Sequence, residues 1–190
     1  MMVVVRFAGY GGQGLLTAGL ILADAAAVYD KKKVIQTQSY GAEARGGASR
    51  SDVIISDEDI VFPKPDHLDI LVAMNQLSVD KYSSALAEGG TLIADATFVT
   101  TVTFPDFYLI PFTDIAREKL GREIVANVVA LGALVELKGV VSKKAAARAL
   151  EQRIPQAALD VNRKALEEGF KAARKAAAAR EKAVADYDIV

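Results

Sequence analysis

The stretch Gly9-Tyr10-Gly11-Gly12-Gln13-Gly14 lies between the apolar run VVVRFA and the Ala/Leu-rich run LLTAGLILADAAA. An unbroken run rich in β-branched residues reads as a buried strand, here over residues 3–8. The Ala/Leu run reads as a helix over residues 15–29, with Gly19 its only weak former. A second apolar run, VIQTQ at 34–38, reads as another strand after the polar break Asp30-Lys31-Lys32-Lys33. Strand, glycine turn, helix and strand in that order make one parallel crossover unit, because parallel neighbours cannot be joined by a tight hairpin. That unit commits the chain to the α/β class, with a mostly parallel sheet covered by helices.

The remaining segments fit this frame. DVIIS, the acidic turn DED and IVFP suggest a hairpin, since two short apolar runs flank a polar break. LDILVA at 68–73 reads as a further buried strand. A helix over 79–88 is expected to stop at Gly89-Gly90. Strands are expected at 91–94 and 108–110. The chain is helical from Thr113 onward, with Thr113 as a cap residue and Gly121 as a stop. REIVANVVALGALVELKG is apolar on all sides and is expected to be buried. Ser142 caps the helix at 142–151, Pro155 breaks the chain, and residues 156–185 form a long Ala/Lys/Arg/Glu helix. Residues 1–185 read as one domain and DYDIV, 186–190, as a tail that is frayed or docked.

Composition excludes several functions. The 190 residues carry 23 basic and 24 acidic side chains, a balance that gives nucleic acid no general attraction. With no cysteine and one histidine, His67, the chain has no thiolate zinc site, cluster ligands or histidine metal site of its own. MMVVVRFAG lacks a basic n-region, and no apolar run reaches the ~18 residues that a membrane span needs. A soluble cytoplasmic protein is expected.

Gly9, Gly11 and Gly14 match G-x-G-x-x-G after a strand and before a helix, the setting of a phosphate-binding turn. Free N–H groups at a helix N-terminus point outward and the helix dipole favours an anion there. Gln13 offers an amide to a ligand or to the loop itself. The competing reading is a tight turn without a ligand. A dinucleotide site wants an acid at the end of the second strand for the ribose 2′-OH, and VIQTQ ends without one. The Gly-Lys-Ser/Thr ending of a P-loop is also missing.

The second informative segment is TQSYGAEARGGASRSDVIIS. It leaves the second strand at the sheet edge where the glycine turn lies. It offers Glu43, Arg45 and Arg50 among small residues, with Gly46-Gly47 removing bulk beside Arg45. A guanidinium there suits a phosphate or a carboxylate; a solvated surface loop is the alternative. Together, AGYGGQGLLTAGLILADAA and QTQSYGAEARGGASRSDVIISDEDIVFP resemble the gamma subunit of 2-oxoacid:ferredoxin oxidoreductases. NVVALGAL and NRKALEEGF match the same family, so the likeness covers residues 3–170. SYGAEARGGAS is most similar to the 2-oxoglutarate branch: pyruvate-type subunits carry R-G-A-P where this chain has Arg45-Gly46-Gly47-Ala48, and indolepyruvate-type subunits share R-G-G but differ before it.

The resemblance implies a single-domain, Rossmann-like fold with a helical C-terminal region, in a multi-subunit enzyme. That enzyme oxidatively decarboxylates a 2-oxoacid, transfers the acyl group to coenzyme A and reduces ferredoxin. Thiamine diphosphate, magnesium and iron–sulfur clusters belong to the alpha, beta and ferredoxin-like delta partners. This chain, inactive alone, helps hold coenzyme A and covers the thiamine site. By carry-over, Gly9, Gly11, Gly12, Gln13 and Gly14 cradle part of coenzyme A, and Tyr40, Glu43, Arg45, Gly46 and Gly47 form a second wall. Asn127 either faces the cofactor or bonds a neighbouring backbone group. None of these residues is a nucleophile or general base; their implied task is to orient the coenzyme A thiol. A standalone NAD(P)-binding dehydrogenase and a ligand-free structural subunit are the rivals.

Three further features stay outside the implied site. His67, between Asp66 and Leu68, reads as a surface or turn residue. Lys31-Lys32-Lys33 reads as a solvated helix end, with a phosphate contact as the alternative. The Ala-rich side of the last helix either faces solvent or docks on a partner.

Overall fold

The computed structural model describes residues 2–39, 48–61 and 66–187. Its strands are β1 (Met2–Tyr10), β2 (Lys33–Ser39), β3 (Ala48–Ser56), β4 (Leu68–Ala73), β5 (Leu86–Asp95) and β6 (Phe107–Ile110). Its helices are α1 (Leu15–Asp24), α2 (Gln76–Tyr82), α3 (Phe112–Asp114), α4 (Ala126–Lys138), α5 (Lys143–Arg153) and α6 (Gln156–Tyr187). α1 and α3 each widen into a π-helical turn, over Ala25–Tyr29 and Ile115–Lys119. The strands form one sheet in the order β2-β3-β1-β4-β5-β6. β1, β4, β5 and β6 are parallel neighbours, whereas β3 runs against both β1 and β2.

The expected crossover unit is present, but β3 is inserted between its two strands. The expected hairpin at DVIIS and IVFP does not form among the described residues: Ile60 and Val61 join no strand. Asp52–Ser56 instead forms the second half of β3, in register with β1 from Met2↔Ser56 to Tyr10↔Ala48 and with β2 from Lys33↔Ser56 to Ser39↔Arg50. Asp52, where the polar first half of β3 meets its apolar second half, lies in the middle of the sheet because its charge is met there. Arg6 donates to Asp52 through Nε and Nη2, each at 2.7 Å, with both residues under a tenth exposed. A charged pair in a sheet interior persists only with such two-point bonding.

A second difference concerns Gly89-Gly90. α2 is capped by Asn75, whose Oδ1 accepts the Ser78 N–H at 2.8 Å, and it gives way after Tyr82 to a short 3₁₀ turn. The two glycines lie inside β5, where pairing jumps from Leu68↔Leu86 to Ile70↔Thr91. They form a bulge, which Gly89 accommodates with φ 77°. Thr113 is likewise no cap. It sits inside α3, and its N–H and hydroxyl donate to Asp95 at 3.2 and 2.6 Å.

Alternation along the strands sends Val5, Phe7, Val53, Val72 and Ile93 to one face, under α1, α4, α5 and α6. Val4, Ala8, Ile54, Leu71 and Leu92 go to the other, where α2 is the covering helix. Every residue of α4 from Ala126 to Val135 is buried, as its uniform apolarity predicts. Full burial of each Leu or Val contributes about 1.5–3 kcal/mol. α4 and α6 touch backbone to backbone: a Cβ on Gly169 would lie 2.9 Å from the Gly132 Cα and overlap the Val129 carbonyl. Ser142 caps α5 as expected, accepting the Ala145 N–H, and the Asp30 carboxylate bonds both its N–H and its hydroxyl. α6 continues to Tyr187, two residues beyond the expected helix end. Glu168 on α6 accepts from Lys119 at 2.6 Å and Lys171 at 2.8 Å.

Candidate functional site

The glycine turn occupies the rim where the parallel strands end. β1 runs into it at Tyr10, and α1 leaves it at Leu15. Its base is locked from inside. Gln13 Oε1 accepts the Tyr10 N–H at 2.6 Å and lies 3.5 Å from the Asn75 amide nitrogen. Gly9 is buried, and a side chain there would collide with that same oxygen. Gly14, the residue before α1, takes φ 73° and ψ 22°, a left-handed conformation that glycine adopts without strain. Its carbonyl accepts the Ala18 N–H at 3.1 Å and the Asn127 amide at 2.9 Å. Asn127 lies in the first turn of α4, so the starts of α1 and α4 meet at one glycine.

The crest of the turn is open. Gly11 and Gly12 are exposed, and a Cβ at either would have no atom within 4 Å. No described side chain caps the N-terminus of α1. The first N–H groups of that helix are therefore available to an anion, and its dipole adds about 0.3–1 kcal/mol of attraction. Of the residues singled out from sequence, the structure brings Gly9, Gly11, Gly12, Gln13, Gly14 and Asn127 to one place. Gln13 and Asn127 are joined to the turn itself, the alternative left open for both. Tyr40, Glu43, Arg45, Gly46 and Gly47 lie outside the described residues. The described ends of their segment, Ser39 and Ala48, are placed: Ser39 pairs with Arg50, and Ala48 with Tyr10 beside the glycine turn.

Asp95, at the rim end of β5, is wholly buried. Burial pushes its carboxyl above the ordinary range, against hydrogen bonds from Thr113 and Thr97 that pull it down. Its oxygens hold the Thr97 N–H and both donors of Thr113, so it ties β5 to α3. His67 is exposed in a bend before β4, as expected. Lys32 and Lys33 pair with Asp57 and Asp59 at the opposite end of β2, away from the glycine turn.

Two residues with a functional bearing escaped the sequence reading, Arg6 and Asn75. Arg6 had a visible signal: an arginine in the middle of VVVRFA needs a buried partner, and SDVIIS holds one. Asn75 had the weaker signal of a cap residue before QLSVDKY. Around the turn, Tyr10, Leu77, Phe98 and Ile124 expose apolar side chains. No helix among the described residues is long and apolar enough to cross a membrane.

A family model described as pyruvate ferredoxin/flavodoxin oxidoreductase matches residues 4–172. The chain is 47% identical over 174 residues to the 2-oxoglutarate synthase subunit KorC of Methanocaldococcus jannaschii, covering 90% of this chain and 93% of that one. It superposes with TM-score 0.85 and 47% identity on the crystal structure of a keto/oxoacid ferredoxin oxidoreductase gamma subunit from Geobacter sulfurreducens, over 93% of this chain and 98% of that one. A 2-oxoglutarate:ferredoxin oxidoreductase from Magnetococcus marinus, solved with 2-oxoglutarate, coenzyme A and succinyl-CoA bound, matches with TM-score 0.79 and 25% identity. That match covers 92% of this chain but 31% of the Magnetococcus chain, so the same unit there is part of a longer polypeptide.

Proposed function

The chain belongs to the pyruvate ferredoxin/flavodoxin oxidoreductase family, and from that premise we propose that it is the gamma-type subunit of a 2-oxoacid:ferredoxin oxidoreductase acting on 2-oxoglutarate. Residues 1–185 form the working unit. The unit works in the cytoplasm with alpha, beta and delta partners that carry thiamine diphosphate, magnesium and iron–sulfur clusters, and with ferredoxin as acceptor. Thiamine diphosphate, when bound on its own subunit, supplies the decarboxylation chemistry.

This chain contributes binding and orientation. The observation that carries the reading is a glycine turn clamped at its base by Gln13 and Asn127 and open at its crest. A clamped turn presents N–H groups without having to order them on binding, which suits the pyrophosphate of coenzyme A. Gly11 and Gly12 let that group approach the main chain, and Arg45, with Tyr40, Glu43, Gly46 and Gly47, forms the second wall. Holding the carrier at both loops fixes where its thiol points, which is catalysis by orientation. Tyr10, Leu77, Phe98 and Ile124, exposed on the same rim, give partner subunits an apolar surface that closes the site against water.

The test uses the assembled enzyme with coenzyme A-dependent ferredoxin reduction as the assay. Gly11→Val or Arg45→Ala is expected to raise the KM for coenzyme A at least tenfold with little change in the KM for the 2-oxoacid. An unchanged KM for coenzyme A in both variants sinks the proposal. It would favour the second reading, a ligand-free structural subunit, for which Gly9 and Gly14 speak because internal contacts already account for them. A dehydrogenase reading gains no support from β2, which ends Gln38-Ser39 without a carboxylate.

A further inference from the structure

On the sheet face opposite α1, a cavity of about 470 Å³ is lined by Arg6, Arg50, Asp52, His67 and the end of β2. We propose that this cavity is a second anion-binding site, separate from the glycine turn, in which the Arg50 guanidinium receives a phosphate group of a small ligand. The inference stands on the charge arrangement of the cavity and does not depend on the coenzyme A reading.

Arg6 and Asp52 neutralise one another through two 2.7 Å bonds. Arg50 reaches the same carboxylate only as a 3.7 Å ion pair, and its side chain makes no hydrogen bond among the described residues. Asp52 has no geometry left for a second fork, so one of the two guanidinium charges is unspent. That charge is nevertheless held in place. Arg6 and Arg50 lie 4.9 and 5.8 Å from the centre of the Tyr82 ring, which attracts both cations and restrains Arg50. Arg50 lines the cavity and its side chain is about a third exposed, so part of it remains open to solvent there. The hydroxyl of Ser39, the strand partner of Arg50, and the His67 ring add hydrogen-bonding groups on the cavity wall.

The ligand class follows from what it must displace. An incoming anion competes with Asp52 for Arg50. A carboxylate carries the same single charge as Asp52, whereas a phosphate monoester carries close to two and matches the guanidinium fork with several oxygens. Asp66 also lines the cavity, but it is exposed and its repulsion is screened by solvent.

The experiment is a titration of the full ¹⁵N-labelled chain with sodium phosphate at constant ionic strength. It follows the arginine Nε–H resonances by NMR, with acetate as the carboxylate arm and adenosine 5′-monophosphate as the nucleotide arm. Saturable shifts at Arg50 and Arg6 are expected for phosphate and the monophosphate, with acetate at least tenfold weaker. Arg50→Gln, checked for folding by circular dichroism, is expected to weaken phosphate at least tenfold, Arg50→Lys less, and Gly11→Val not at all. No saturable shift in the parent chain, equal affinity in Arg50→Gln, or loss in Gly11→Val with retention in Arg50→Gln overturns the proposal. The last result assigns the anion to the glycine turn.

Discussion

Gly14→Ala isolates the contact between α1 and α4. At φ 73° an alanine is disfavoured by about 1–2 kcal/mol relative to glycine. The new methyl would also lie 2.9 Å from the Asn127 side-chain carbon and overlap its amide nitrogen, so Asn127 must turn away. That movement breaks the 2.9 Å bond to the Gly14 carbonyl, a net loss of about 1 kcal/mol. The sum is about 2–3 kcal/mol, which for a chain of this size lowers Tm by roughly 4–12 °C. Asn127→Ala alone should cost about 1–2 kcal/mol, through the same bond and lost packing. The bond can be lost only once, and the overlap vanishes when Asn127 is gone. The double variant should therefore fall short of the summed single effects by about 1 kcal/mol. Urea unfolding of the four proteins gives the cycle directly. Additivity to within about 0.5 kcal/mol would show that the two residues do not share a contact, and the account of the turn's base would fail.

Gly169→Ala places a methyl against the backbone of α4, which cannot rotate away as a side chain can. α4 and α6 must separate, and a loss of about 1–3 kcal/mol in urea unfolding is expected; no loss would mean that the helices are not in backbone contact. Glu168 gives a pH-dependent case. Hydrogen bonds from Lys119 and then Lys171 hold its carboxyl below the ordinary value of 4.5. Its contribution is therefore complete above the unfolded value and lost as pH falls through the folded one. Glu168→Gln should destabilise at neutral pH and converge with the parent chain under acid, as read by thermal unfolding across pH 2–7. A gap that persists or widens in acid refutes that assignment.

The strand–glycine–helix unit was legible because each part had a strong local signature, and α4 because ten consecutive buried positions leave little choice of environment. What escaped depends on partners far along the chain. Asp52 reads from sequence only as the start of an apolar run; its burial inside β3 rests on Arg6, 46 positions away. Gly89-Gly90 looked like a helix stop because glycine marks bulges and helix ends alike. The residue types at the glycine turn indicated a tight strand-to-helix turn, but not its internal clamp: the Gly14–Asn127 bond joins positions 113 apart. Asn127 was visible as a polar residue in an apolar helix, with its partner undetermined.

Ser39 and Arg50 face each other across the β2–β3 ladder, so the chain departs from the sheet and returns to it at neighbouring points. A connection closed at its stem in this way can change length with little effect on the scaffold: doubling it costs only about 0.6 kcal/mol of closure entropy. The antiparallel insertion of β3 thus gives the fold a graftable port, where one connecting segment can be exchanged for another while the strands beneath keep their register.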